Sequence, residues 1–218
     1  MILFPKEEVP QMNLRFKLVL AALACTTAAF ATPGVGPLNA SDPDAFQVRY
    51  FANLNVGNSY IDITNNGANN GKNICIQVYV FDKGEELLDC CSCTVTPNGL
   101  QSFNVNSTTG LTSNTLTGQI LSQAVVKMVA TSVTGCDAGT AVESSSLVSG
   151  MRAWATTLHQ NTSTSAYDLT ETEFSSGNLS SAEYSHITSF CNFIEADGTT
   201  QGICPQCTNT ALGASAAQ

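Results

Sequence analysis

Positive charge is what this chain has least of: eight Lys and Arg stand against 17 Asp and Glu in 218 residues. From Thr32 onward only Arg49, Lys72, Lys83, Lys127 and Arg152 remain, facing 15 acidic residues. So few cations offer no basic patch, which argues against a nucleic-acid or anionic-membrane partner. Histidine is nearly absent too, so any catalytic triad or imidazole metal site must use His159 or His186. The sequence has no G-x-S-x-G elbow, P-loop, dinucleotide fingerprint or H-E-x-x-H. Strands do not alternate with helices, which argues against a parallel α/β fold.

What is present begins with an export signal. Arg15 and Lys17 precede an apolar run, Leu18 to Ala24, that continues to Phe30 and closes on Ala29-Phe30-Ala31. A positive n-region, a short h-region and a small-x-small site make residues 1–31 an expected signal peptide, with Met12 as a natural alternative start. A lipoprotein signal acylated at Cys25 is the rival, but Ala22-Leu23-Ala24 puts leucine one place too late. No later run is long enough to span a bilayer, so the expected product is secreted or held at the cell surface with no membrane span in the mature chain.

Eight cysteines remain after such a cleavage: Cys75, Cys90, Cys91, Cys93, Cys136, Cys191, Cys204 and Cys207. An even number in an exported chain reads as a disulfide framework of up to four bridges, whose connectivity the spacing leaves open.

Residues 32–46 hold three of the seven prolines and read as an extended leader. Strand signals follow at 47–52, 59–64, 73–81, 100–105, 123–131, 147–158 and 167–174. Glu85 to Asp89 reads as a short return strand. Asn65-Asn66-Gly67 and Asn69-Asn70-Gly71 suit positive φ and point to hairpin connections. In 73–81, Ile74, Ile76, Val78 and Val80 share one face, and Cys75, Gln77, Tyr79 and Phe81 the other. Both faces are largely apolar, as expected of a central strand packed from both directions. One helix is expected over 181–196: Ser180 and Glu183 form a capping box, and Ala182, Tyr184, Ile187, Phe190, Cys191 and Ile194 recur near helical spacing. The expected fold is mostly β, an antiparallel β-sandwich with Greek-key-like connections, stapled by disulfides and carrying one C-terminal amphipathic helix. Residues 47–207 form its single domain, and 208–218 a flexible tail.

Candidate chemistry is thin. Cys90, Cys91 and Cys93 with Cys204 and Cys207 form an alternative thiolate site for copper or zinc, or a redox module, since Cys204-Pro205-Gln206-Cys207 has the spacing of a reactive pair. Export favours oxidation of these thiols, and the pair follows the helix instead of opening one. Glu171 and Glu173 lie on one side of a strand as glycosidase carboxylates do, but a solvated strand face gives the same pattern. Trp154 and the tyrosines offer a carbohydrate platform or ordinary sheet packing. Glycosylation sequons start at Asn106, Asn161 and Asn178, among others, in a chain rich enough in Asn, Ser and Thr to produce them by chance.

The run Asp89-Cys90-Cys91-Ser92-Cys93, then Val95 to Leu100, Gly150 to Trp154, Ile187 to Cys191, and Gly202-Ile203-Cys204 with Cys207 resemble a family of small secreted, cysteine-rich bacterial proteins. The resemblance implies export and a cysteine framework, and no activity, cofactor or catalytic residue. The expectation is a non-enzymatic structural or interaction protein of the cell surface or extracellular matrix. Its partners are other surface components or copies of itself, with the leader adding a strand to a neighbour's sheet edge.

Overall fold

The computed structural model describes residues 44–208, except 107, 108, 133, 162 and 165 and the side chains of 206–208. The chain divides into two units, Met1–Pro33 and Gly34–Gln218, and the description below belongs to the second. The expected signal peptide, leader residues 32–43 and tail residues 209–218 lie outside the described residues.

Among the described residues, ten strands and one α-helix follow in order: β1 Phe46–Phe51, β2 Tyr60–Asn65, β3 Ile74–Phe81, β4 Leu87–Val95, β5 Leu100–Asn104, β6 Ala124–Thr131, β7 Met151–Asn161, β8 Ala166–Glu173, β9 Ser175–Ser176, α1 Ser181–Ala196 and β10 Ile203–Thr208, with a short 3-10 turn at Ser144–Ser146. They build a six-stranded sheet, β10-β4-β3-β6-β1-β9, and a four-stranded sheet, β5-β2-β7-β8. All pairs are antiparallel except β10 on β4.

Period-two alternation makes the six-stranded sheet the middle of three layers. Ile74, Ile76, Val78 and Val80 of β3 face the second sheet, where Ile61, Ile63, Phe103, Met151, Ala153 and Ala155 meet them. Tyr79, Phe81, Cys90 and Val129 face α1 through Tyr184, Ile187, Cys191 and Ile194. Every residue of β3 is buried. Helix α1 starts where Ser180 Oγ accepts from the Glu183 amide, 3.1 Å away. The Glu183 carboxylate turns to Lys127 on β6, at 2.5 Å, instead of closing the capping box. Ala182 and Phe190, expected on the buried stripe, are exposed, and Thr188 takes the buried position beside Ile187.

Several expectations need correcting. The Asn-Gly turns after β2 do not close a hairpin: β2 and β3 belong to different sheets, and residues 66–73 form a corner between them. Positive φ at Gly67, Asn70 and Gly71 serves a corner as well as a hairpin. Buried Asn65 fixes this corner, with Nδ2 donating to the carbonyls of Lys72 and Val95. The short return strand and the cysteine run are one strand, β4, with a bulge where Val80 pairs with Asp89 but Phe81 with Leu87. The strand expected over 147–158 starts late, at Met151, because Gly150 has φ of 113° against Asn65 and Asn66. Packing begins within the leader, since Asp44, Ala45 and Phe46 are buried.

Because Ile76 is fully buried between the sheets, Ile76→Ala should destabilise the fold by about 2–5 kcal/mol. A urea titration checks this through a lower midpoint at unchanged slope.

Candidate functional site: the cysteine hub and an open sheet edge

Strand β4 is the covalent hub. Alternation sends Cys90 toward α1, where it bonds Cys191 (Cα–Cα 6.0 Å), and Cys91 into the sandwich, where it bonds Cys204 of β10 (Cα–Cα 5.4 Å). Cys93 is disulfide-bonded as well. Cys75 of β3 bonds Cys136 in the loop after β6 (Cα–Cα 5.4 Å), and Ser92 of β4 donates to the Cys136 carbonyl. These bridges close segments of 61, 101 and 113 residues. In the chain-entropy account each is worth about 4–5 kcal/mol alone, and less together because the loops overlap. Of the five sulfurs considered as metal ligands, those of Cys90, Cys91, Cys93 and Cys204 are bonded and offer no thiolate; the Cys207 side chain lies outside the described residues. The grouping of Cys90, Cys191 and Glu195 includes one of these disulfides, so it is not a ligand set either.

Strand β10 was not legible as a strand in the sequence. Gly202 admits it: its amide donates to Asn114 O and its carbonyl accepts from the Cys90 amide. A Cβ there would meet Ile194 Cγ2 at 2.8 Å, and φ is 77°.

A polar network between β3 and α1 was also missed. Gln77 Nε2 donates to the carbonyls of Asp137 and Thr140, and Gln77 Oε1 accepts from Tyr184 OH at 2.7 Å. Tyr79 OH donates to Ala138 O at 2.8 Å. Burial raises the pKa of Tyr79 well above the ordinary range and that of Tyr184 to about 12, so both phenols stay neutral donors. At its margin, burial and the neighbouring Asp137 charge push Glu195 up to about 7. For Asp137, burial is outweighed by hydrogen bonds from Thr140, Gly139 and the Glu195 carboxyl, and its pKa falls. The two carboxyls therefore share a proton below neutrality.

The histidines do not join this network. His159, on β7, is exposed and contacts Thr170 Oγ1 at 3.0 Å. His186, exposed on α1, lies near Phe190 (centroids 6.5 Å). It lines a cavity of about 370 Å³ with Glu85, Glu86, Phe81 and Leu87. No hydrogen bond or ion pair joins His186 to a carboxylate among the described residues. Glu171 and Glu173 are on the exposed strand β8, across from Thr156 and Trp154 of β7. Trp154 is half-buried on the outer face of the four-stranded sheet, next to Asp62 of β2. At the sequon residue Asn106, Nδ2 donates to the carbonyls of Leu54 and Gly57, which occupies the atom a glycan would need.

Strand β8 is one edge of the four-stranded sheet, opposite β5, and all eight of its residues are exposed. The Phe174 amide donates to Ala153 O at 2.9 Å. Alternation from that pair turns Ala166, Asp168, Thr170 and Thr172 toward β7. The amides and carbonyls of Tyr167, Leu169, Glu171 and Glu173 point outward. Arg49 of β1 anchors the strand from its inner side, donating to the Thr172 carbonyl and to the hydroxyls of Thr172 and Thr157.

No family model and no curated protein matches the chain. Among solved structures, a match is "Crystal Structure of Thermotoga maritima 1070", at 9% identity and TM-score 0.36, over 59% of this chain and 91% of that one.

One buried acid stands apart. Asp89 is fully buried on β4, neither carboxylate oxygen has a hydrogen-bond partner among the described residues, and burial pushes its pKa up to about 8. The folded chain holds this proton while the unfolded chain releases it near the ordinary carboxylate value. The stability that the neutral acid permits is therefore complete below about pH 4 and lost as pH rises through 8, by at most about 1.4 kcal/mol per pH unit. Urea titrations at pH 5 and pH 8 should show the wild type losing more stability over this interval than Asp89→Asn.

Proposed function

We propose that this chain is an exported, disulfide-stabilised structural or interaction protein of the cell surface or extracellular matrix, which assembles with its own copies by strand addition and catalyses no reaction. The observation that carries the reading is β8, an edge strand exposed along its whole length, with four residues whose outward backbone groups meet no partner among the described residues. Exposed sheet edges template pairing with another chain, and extended peptides bind by adding a strand to them. The bridges around β4 suit a domain that must persist where thiols oxidise and no chaperone renews it. The resemblance to small secreted cysteine-rich bacterial proteins points the same way. The alternative, a metal or redox module at the cysteine clusters, requires these bonds to open first.

The test compares the chain beginning at Thr32 with one beginning at Asp44, by sedimentation velocity and electron microscopy under non-reducing conditions. The truncation stops at Pro43 because removing residues through 46 would also take Phe46 out of the core. Multimers of the longer chain alone are the expected result. Monomers of both the longer and the shorter chain at high concentration would sink the assembly reading. Intact-mass and peptide mapping should find the three bridges Cys75–Cys136, Cys90–Cys191 and Cys91–Cys204, and free thiols with a stoichiometric metal would reverse the choice between the two readings.

A further inference from the structure

We infer that residues 34–41 of one copy dock as an antiparallel strand on the outer edge of β8 in another, with Leu38 opposite Leu169. The inference rests on the strand-addition reading above and supplies its two surfaces and their register. Of the sheet edges, β9 has two residues. The end of β5 is bonded from outside, where Leu111 N donates to Asn104 O, and β10 is approached by the Asn114 carbonyl through Gly202. Strand β8 is left as the long edge, with Tyr167, Leu169, Glu171 and Glu173 outward.

A second β8 is a poor occupant. Each copy carries Asp168, Glu171 and Glu173 with no cation in the strand, so pairing two of them brings like charges together across one ladder. Residues 34–41, Gly-Val-Gly-Pro-Leu-Asn-Ala-Ser, are uncharged. Their prolines also have a side. In a strand, alternate residues send their backbone groups to opposite edges, and proline is tolerated where its missing N–H faces away from the ladder. Pro33, Pro37 and Pro43 all sit at odd positions, so the even residues Gly34, Gly36, Leu38 and Ala40 present a complete hydrogen-bonding edge. Those four match the four outward residues of β8. The antiparallel register sets Gly34 and Gly36 against Glu173 and Glu171, and Ala40 against Tyr167. Leu38 then covers Leu169, whose side chain is 59% exposed. The proline-bearing edge faces solvent and stops further addition, so each copy donates once and accepts once.

The test uses the full chain from Thr32 in three forms: wild type, Ala40→Pro and Asn39→Pro. These adjacent substitutions lie outside the described residues and differ in which edge loses its N–H. Ala40→Pro should cut the multimer fraction by about tenfold, and Asn39→Pro should leave it within about twofold. Hydrogen exchange on wild-type multimers should show the amides of Tyr167, Leu169, Glu171 and Glu173 protected relative to Ala40→Pro. Equal effects of the two prolines, multimers with those four amides unprotected, or protection in a monomer would each overturn the docking. If the wild type forms no multimer at all, the assembly reading itself fails.

Discussion

The constraint on which the rest of the molecule depends is that β3 and most of β4 have no wet face. Ile74, Ile76, Val78 and Val80 must be covered by one layer, and Cys75, Gln77, Tyr79 and Phe81 by another. The four-stranded sheet covers the first face. One amphipathic helix and the loop after β6 cover the second. The Cys90–Cys191 bridge and the Gln77–Tyr184 hydrogen bond add to the apolar contacts that hold the 16-residue helix on that face. Disulfide and polar network thus do for the helix layer what sheet-on-sheet packing does on the other side.

Burial from both directions has an electrostatic consequence. Asp89 sits in β4 at the bulge, where the ladder shift gives it no donor, and low polarity around it keeps the carboxyl protonated near neutrality. Glu195 and Asp137 meet the same problem at the edge of the helix layer and solve it by sharing a proton. Lowering the pH from 8 toward 5 therefore favours both arrangements.

The sheets differ in how their edges are managed. The six-stranded sheet ends in the two-residue β9 on one side and in β10, locked by Cys91–Cys204, on the other. The four-stranded sheet ends in β8, where three carboxylates repel another acidic strand but not a neutral one. Under the strand-addition proposal, this charge pattern favours a neutral strand over an acidic one.

The sandwich and its helix were legible in the sequence because both rest on local rules. Period two marks β3 as a strand with two apolar faces, and Ser180 ahead of Glu183 marks the helix start. Tertiary structure alone decided the rest. An Asn-Gly turn does not say whether it joins partners in one sheet or crosses between two, and residues 66–73 cross because Asn65 is held by Lys72 and Val95. Strand β10 exists only beside β4, through Gly202 and a bridge spanning 113 residues. Gln77, Tyr79 and Tyr184 carry no motif, since a buried network depends on long-range geometry that spacing does not encode. The cysteines by themselves indicated a covalent framework; which sulfur meets which was set by the two faces of β4, because alternation along a strand sends neighbouring cysteines into different layers.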